Sequence, residues 1–179
     1  MTLPEEYGGA GLSYEDFCYA LEEISKSSVS YAVTISVSTM TQAILNAFGN
    51  EEQKKKYLPE LTSGKAIGAF ALSESGSGSD AASLKTTAKK VDGGYILNGT
   101  KLWITSGGIA KTYIVMARTG QEGAKGISAF IVEDGMEGFS YGKKENKMGW
   151  NISPTRELIF EIALYLKKTY LKKKALALK

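Results

Sequence analysis

Histidine is absent from this 179-residue chain, which removes the usual zinc ligand and the side chain that most readily moves a proton near neutral pH. Metal-assisted hydrolysis and Ser-His nucleophilic chemistry are poor fits, and no metal site is expected. Cysteine is nearly absent too. The single Cys18 cannot close an internal disulfide, which suits a reducing compartment, and its place in a predicted amphipathic helix casts it as small core filler. No apolar run has the length to span a bilayer, and the opening Met-Thr-Leu-Pro-Glu-Glu lacks the basic and apolar parts of a secretion signal. A cytoplasmic protein without a membrane span is the expectation. Disorder is excluded by a content of 43% hydrophobic against 23% charged residues.

The net charge of +3 misleads about partners. Residues 162–179 hold six lysines and no acid, and setting those aside leaves 16 basic residues against 19 acidic ones. The body of the chain is therefore slightly acidic and offers no electrostatic case for nucleic acid.

Two periodicities divide the chain. Ser13 and Asp16 have the spacing of a capping box, after which Phe17, Ala20, Leu21 and Ile24 share one face of a helix that ends near Lys26. A second helix is predicted over residues 28–48, with Val29, Val33, Val37, Met40, Ile44 and Phe48 as its apolar stripe and Gly49 as its stop. Asn50 caps a third, which Pro59 is expected to limit. From Ala66 the pattern changes to short Val-, Ile-, Tyr-, Phe- and Thr-rich runs between turn signals such as Asp92-Gly93-Gly94 and Asn98-Gly99. Strands are predicted near residues 67–73, 84–90, 95–97, 100–105, 112–118, 127–133 and 156–160. No helix-length segment separates them, so the sheet should be mostly antiparallel. The fold class is α+β: part of a helical domain over residues 1–65, a β domain over 66–161, and a basic tail over 162–179.

The chemistry concentrates in Phe70-Ala-Leu-Ser-Glu-Ser-Gly-Ser-Gly-Ser-Asp80 and in Trp103, Ile104 and Thr105. Gly76, Gly78 and Ala81 also fit the G-x-G-x-x-A pattern of a dinucleotide-binding turn, but such a turn opens a helix, and residues 83–90 alternate at strand period. That reading is rejected. A Gly- and Ser-rich bend at a strand end still offers backbone N–H groups and hydroxyls to a cofactor. Taken alone it is a plain turn, and Trp103 alone is a core residue. At strand period, Trp103 and Thr105 point to one side, presenting a flat apolar surface beside a donor.

Together these segments resemble the flavin cradle of the acyl-CoA dehydrogenase family. The resemblance runs from Thr2-Leu-Pro-Glu-Glu-Tyr-Gly-Gly to Thr155-Arg-Glu-Leu-Ile-Phe-Glu161 and includes Glu51-Glu-Gln-Lys54, Tyr57-Leu-Pro59, Gly126, Ala129-Phe-Ile-Val132 and Lys147-Met-Gly149 as scaffold. It implies FAD held by Phe70, Ala71, Leu72, Ser73, Ser79, Trp103, Ile104 and Thr105, with the Ser73 hydroxyl and nearby backbone meeting the isoalloxazine and Thr105 bonding flavin N5. Ser79 would also lie near the acyl-CoA substrate. Arg118 and Lys125 receive no role. The implied reaction is α,β-dehydrogenation of an acyl-CoA, a short-chain substrate being a guess, with electrons passing to electron transfer flavoprotein from a homo-oligomer.

The family's catalytic base, a glutamate in a C-terminal helical domain, has no counterpart in this chain. The chain is accordingly expected to be a fragment truncated at both ends and inactive alone. The tail, unlike the family, is either the product of a shifted reading frame or a basic amphipathic helix that binds acidic partners or membrane in a non-catalytic module. A fragment of an acyl-CoA oxidase or flavin monooxygenase on the same scaffold is the further alternative.

Overall fold

The computed structural model describes residues 1–166 and 170–171, excepting the side chains of 164–166. Three helices come first. α1 (Tyr14–Ser27) starts at the expected capping box, in which Ser13 Oγ accepts from the Asp16 N–H at 3.1 Å and Asp16 accepts from the Ser13 N–H at 3.0 Å. α2 (Val29–Phe48) follows directly, and α3 (Glu51–Thr62) opens on a second box, Asn50 with Gln53. Pro59 does not limit α3, which continues to Thr62. One missing hydrogen bond and the ring's crowding of the preceding turn are tolerated when the helix is otherwise packed, as here by buried Tyr57, Leu58 and Leu61.

Two other helical expectations are corrected. Cys18 is exposed, because one residue's rotation from the buried Phe17 turns it off the packed face. On α2 the predicted stripe is not the buried face: Val29 and Met40 are exposed, whereas Ser38, Thr39, Thr41, Gln42 and Leu45 are buried. The cause is a close approach to the sheet. A side chain added at Gly68 would stand 2.7 Å from the Thr41 side chain, and the Gly68 N–H donates to Ser38 Oγ at 3.1 Å. Small hydroxyl side chains let helix and strand meet there, and Thr34 and Thr41 satisfy their hydroxyls on carbonyls one turn back in α2.

The strands are β1 (Gly68–Ala71), β2 (Thr87–Val91), β3 (Gly94–Thr105), β4 (Thr112–Arg118), β5 (Ile127–Glu133), β6 (Phe139–Lys144) and β7 (Thr155–Leu166). They form a sheet in the order β1-β4-β2-β3-β7-β6 with β5 on β4. The β1/β4 and β2/β4 pairings are parallel and the rest antiparallel. Asn98-Gly99 is not a turn: β3 passes through it as one strand, with a register shift against β7. Gly99 is required there, since its φ is +141° and a Cβ added to it would stand 2.8 Å from Thr86 Cα. β6 had no sequence signal, its Gly142-Lys143-Lys144 end carrying little β propensity.

The central hairpin β4/β5 is buried on both faces. Tyr113, Val115, Phe130 and Val132 enter a core inside the curled sheet with Leu97, Leu158 and Phe160. Ile114, Met116, Ala129 and Ile131 face the other way, onto Leu45, Leu58 and Leu61 of the helices. Each such side chain stabilises the fold by roughly 1.5–3 kcal/mol relative to exposure. This double packing anchors β4, and through it β1 and β2, which carry the Ser-rich bend between them.

β7 runs across position 161 to Leu166, pairing Ala163 with Leu97. Tyr170 stacks on Tyr95 at 5.3 Å, and the Leu171 N–H donates to the Ala129 carbonyl. The described part of the tail is thus strand and sheet contact; its other residues, on which the amphipathic-helix reading depends, lie outside the described ones. Among the described residues no helix is long and apolar enough to cross a membrane.

Candidate cofactor-binding site

β1 delivers the chain to Leu72 and Ser73, after which Ser75-Gly76 turn between Glu74 and Ser77. Reciprocal backbone bonds of 2.8 and 3.1 Å close that turn. Ser77 Oγ then donates to the Asp80 carbonyl, and Ser83 Oγ to the carbonyls of Gly76 and Asp80. Only a 3-10 turn, Ala81–Ser83, follows. No α-helix opens at Gly78, which removes the structure that a dinucleotide-binding turn needs. The hydroxyls of Ser77 and Ser83 are used up in holding the bend. The backbone N–H groups of Ser75, Gly76, Gly78 and Ser79 have no partner among the described residues, and the Ser73 hydroxyl has none either. A cavity of about 230 Å³ adjoins the bend, lined by Glu74, Ser75, Gly76, Lys85, Thr86, Gly99 and Thr100.

β3 crosses beside the bend, the Leu102 N–H donating to the Ser73 carbonyl at 2.9 Å. Immediately afterwards its register against β7 slips, Lys101 pairing with Leu158 but Ile104 with Arg156. Trp103 sits in this bulge with φ +57° and is 58% exposed. A bulky residue in the left-handed region is a true outlier, and such strain collects where a side chain must be aimed for function. Ile104 is buried and Thr105 half-buried. Simple alternation therefore does not set the geometry, although Trp103 and Thr105 both remain outside the core. The next residue, Ser106, also has positive φ (+65°), and its N–H is fixed to the Pro154 carbonyl at 2.7 Å.

The sequence-predicted residues divide by what they can offer. Ala71 and Ile104 are buried, so only their backbones could meet a ligand; Phe70 and Leu72 are half-buried against the helix-side core. Ser73 is half-buried, while Ser79 and Trp103 are exposed. The Leu102–Ser73 bond brings the bend and the tryptophan segment side by side.

Sequence reasoning missed the ion pair beneath them. Lys101 is wholly buried, its Nζ donating to Glu74 Oε1 at 2.7 Å and to the Leu72 carbonyl at 2.9 Å. Glu74 also accepts from the N–H groups of Lys85 (2.6 Å) and Thr86 (3.0 Å). Burial alone would raise the Glu74 carboxyl, but the Lys101 ammonium, Thr86 and those two N–H groups outweigh it and hold the carboxyl below its ordinary value. Burial pulls the Lys101 ammonium below the ordinary lysine value, with Glu74 opposing. A signal existed, since Leu97, Gly99 and Lys101 share strand parity and the first is apolar. Arg118 is a strut whose guanidinium donates to the carbonyls of Leu84, Ala82, Gln121 and Gly123.

The architecture is a helical layer on a curled, mostly antiparallel sheet, with a hydroxyl-rich bend beside a strained, exposed tryptophan. The family model for the acyl-CoA dehydrogenase N-terminal domain matches residues 1–65 and that for the middle domain residues 69–163; the chain belongs to the acyl-CoA dehydrogenase family. It is 54% identical over 166 residues to an acyl-CoA dehydrogenase of Bacillus subtilis, covering 91% of this chain and 44% of that protein. The butyryl-CoA dehydrogenase structure of Megasphaera elsdenii superposes with a TM-score of 0.92 at 41% identity, covering 96% of this chain and 46% of that one. An acyl-CoA dehydrogenase from Bacillus anthracis complexed with FAD superposes with a TM-score of 0.87 at 43% identity, covering 96% of this chain and 29% of that one. The chain spans less than half the length of these relatives.

Proposed function

We propose that this chain supplies the FAD-facing wall of an acyl-CoA dehydrogenase that oxidises an acyl-CoA thioester between its α and β carbons. The observation that carries the reading is the strained, exposed Trp103 beside a bend with unpartnered donors. The donor set fits the cofactor: an isoalloxazine presents a flat apolar face and a rim of oxygens and nitrogens, matched by an indole and by hydroxyl and N–H donors. FAD supplies the hydride-accepting chemistry, while the protein supplies position and electrostatics.

In this reading Trp103 would cover one side of the ring and exclude water, the Thr105 hydroxyl would donate at N5, and the Ser73 hydroxyl and adjacent backbone would hold the ring's polar rim. Ser79 would also lie near the acyl-CoA. Glu74 is not the proton acceptor, because its carboxylate is committed to Lys101 and two N–H groups and is held acidic. The base, the acyl pocket and the contact with electron transfer flavoprotein then belong to parts of the whole enzyme other than these residues.

Titration of the purified chain with FAD, read by quenching of flavin and tryptophan fluorescence, is expected to saturate, and more tightly than with riboflavin. A folded chain that quenches neither signal at any FAD concentration would refute the reading.

A further inference from the structure

We propose that Lys101 and Glu74 are positioning residues whose buried ion pair fixes the bend against the tryptophan segment and so sets the geometry in which flavin is held. The proposal rests on the flavin reading of the site and adds to it a pair that touches no cofactor.

Four pieces of chain converge on two side chains. Lys101 Nζ bonds the Leu72 carbonyl at the exit of β1 and Glu74 Oε1 in the bend. Glu74 in turn takes the N–H groups of Lys85 and Thr86, where the chain leaves the bend for β2. Lys101 itself lies on β3, at the last paired position before the register slip that raises Trp103. The next residue, Leu102, donates to the Ser73 carbonyl. The ammonium therefore ties the approach to Ser73 on one side and the approach to Trp103 on the other.

Stability alone does not account for the pair. The side chains are 0% and 9% exposed, and a well-packed apolar pair of similar volume is commonly as stable as a buried ion pair or more so. What an apolar pair cannot do is address a carbonyl and two N–H groups and thereby select one register. Register needs selecting here, because β3 carries two irregularities against β7, and a one-residue slip would exchange the inward and outward residues of the segment.

The experiment compares the parent with Lys101→Met/Glu74→Leu, both in a Trp150→Phe background so that Trp103 is the only tryptophan of the two in the chain. Thermal melting, FAD affinity and the Trp103 indole NMR signal are measured on each. The double variant is expected to melt lower than the parent, because the Leu72 carbonyl and the Lys85 and Thr86 N–H groups lose their partners, while in its folded state the FAD dissociation constant rises at least about 10-fold and the indole signal shifts or broadens. Unchanged affinity and an unchanged indole signal in a folded double variant overturn the proposal. If the parent binds no FAD, the flavin reading fails separately and the indole signal alone decides the positioning role, an unmoved signal overturning it. If the double variant does not fold, Lys101→Arg is read by the same two signals: its bulkier head keeps the charge but displaces the bend, and parent-like values overturn the proposal.

Discussion

Mixed with FAD, butyryl-CoA and a dye acceptor, the purified chain is expected to reduce no dye above the rate without protein. Oxidation of an acyl-CoA needs a carboxylate to take the α proton as the β hydrogen leaves, and a well-placed base contributes about 10²–10⁴-fold by itself. The buried carboxylate of this site is Glu74, whereas Asp80 at the end of the bend is exposed to solvent. Glu74 already accepts from an ammonium and two backbone N–H groups, and its pKa is displaced downward, the wrong direction for a base acting near neutral pH. Supplying FAD therefore restores the electron acceptor without a proton acceptor. The assay is loss of dye absorbance against time at several chain concentrations. A rate proportional to chain concentration and dependent on butyryl-CoA would show that a working base lies within these residues, and the proposed division of labour would fail.

The second large effect has opposite signs for stability and binding. Trp103→Gly is expected to raise the melting temperature while weakening FAD. Trp103 occupies the left-handed region at φ +57°, which costs a non-glycine residue on the order of 1–3 kcal/mol and costs glycine almost nothing. Because the side chain is 58% exposed, its removal forfeits little packing. A net gain of about 1 kcal/mol corresponds to roughly 2–4 °C in a chain of this size. Loss of the stacking surface removes about 1–3 kcal/mol of binding, a rise in the FAD dissociation constant of roughly 5- to 150-fold. Trp103→Phe keeps an aromatic face and the strain, so it should lose less affinity and gain no stability. Calorimetry and FAD titration of the three chains decide the matter. A glycine variant that melts lower and binds as well would mean that Trp103 supports the fold and not the cofactor.

Helix ends were legible because capping is local. Ser13 with Asp16 declares its box within four residues and Asn50 its cap, and both form, the second completed into a box by Gln53. The strands of the doubly buried hairpin were legible for a similar reason, their continuous apolar runs being bounded by turns at 112–118 and 127–133. The buried face of α2 was not. Its apolar stripe implied one orientation, but the approach of Gly68 to Thr41 selects the small hydroxyl face, and that constraint comes from a strand more than twenty residues away. β3 was misread at Asn98-Gly99 because the dipeptide is a strong hairpin signal, whereas here glycine serves a bulge pressed on Thr86. At the site, the residue types of the bend and of Trp103, Ile104 and Thr105 singled out two segments that the fold brings side by side through the Leu102–Ser73 bond. The tie between Ser73 and Leu102, the left-handed backbone at Trp103 and the Lys101–Glu74 pair beneath it were invisible, since each depends on pairing between distant segments.

The most direct test is an amide and indole NMR map of the chain with and without FAD. The account predicts that the N–H signals of residues 73–79 and 103–105 and the Trp103 indole move together and saturate with a common dissociation constant, while β6 and α1 stay still. Saturable shifts confined elsewhere, with the bend and Trp103 unmoved, would contradict it.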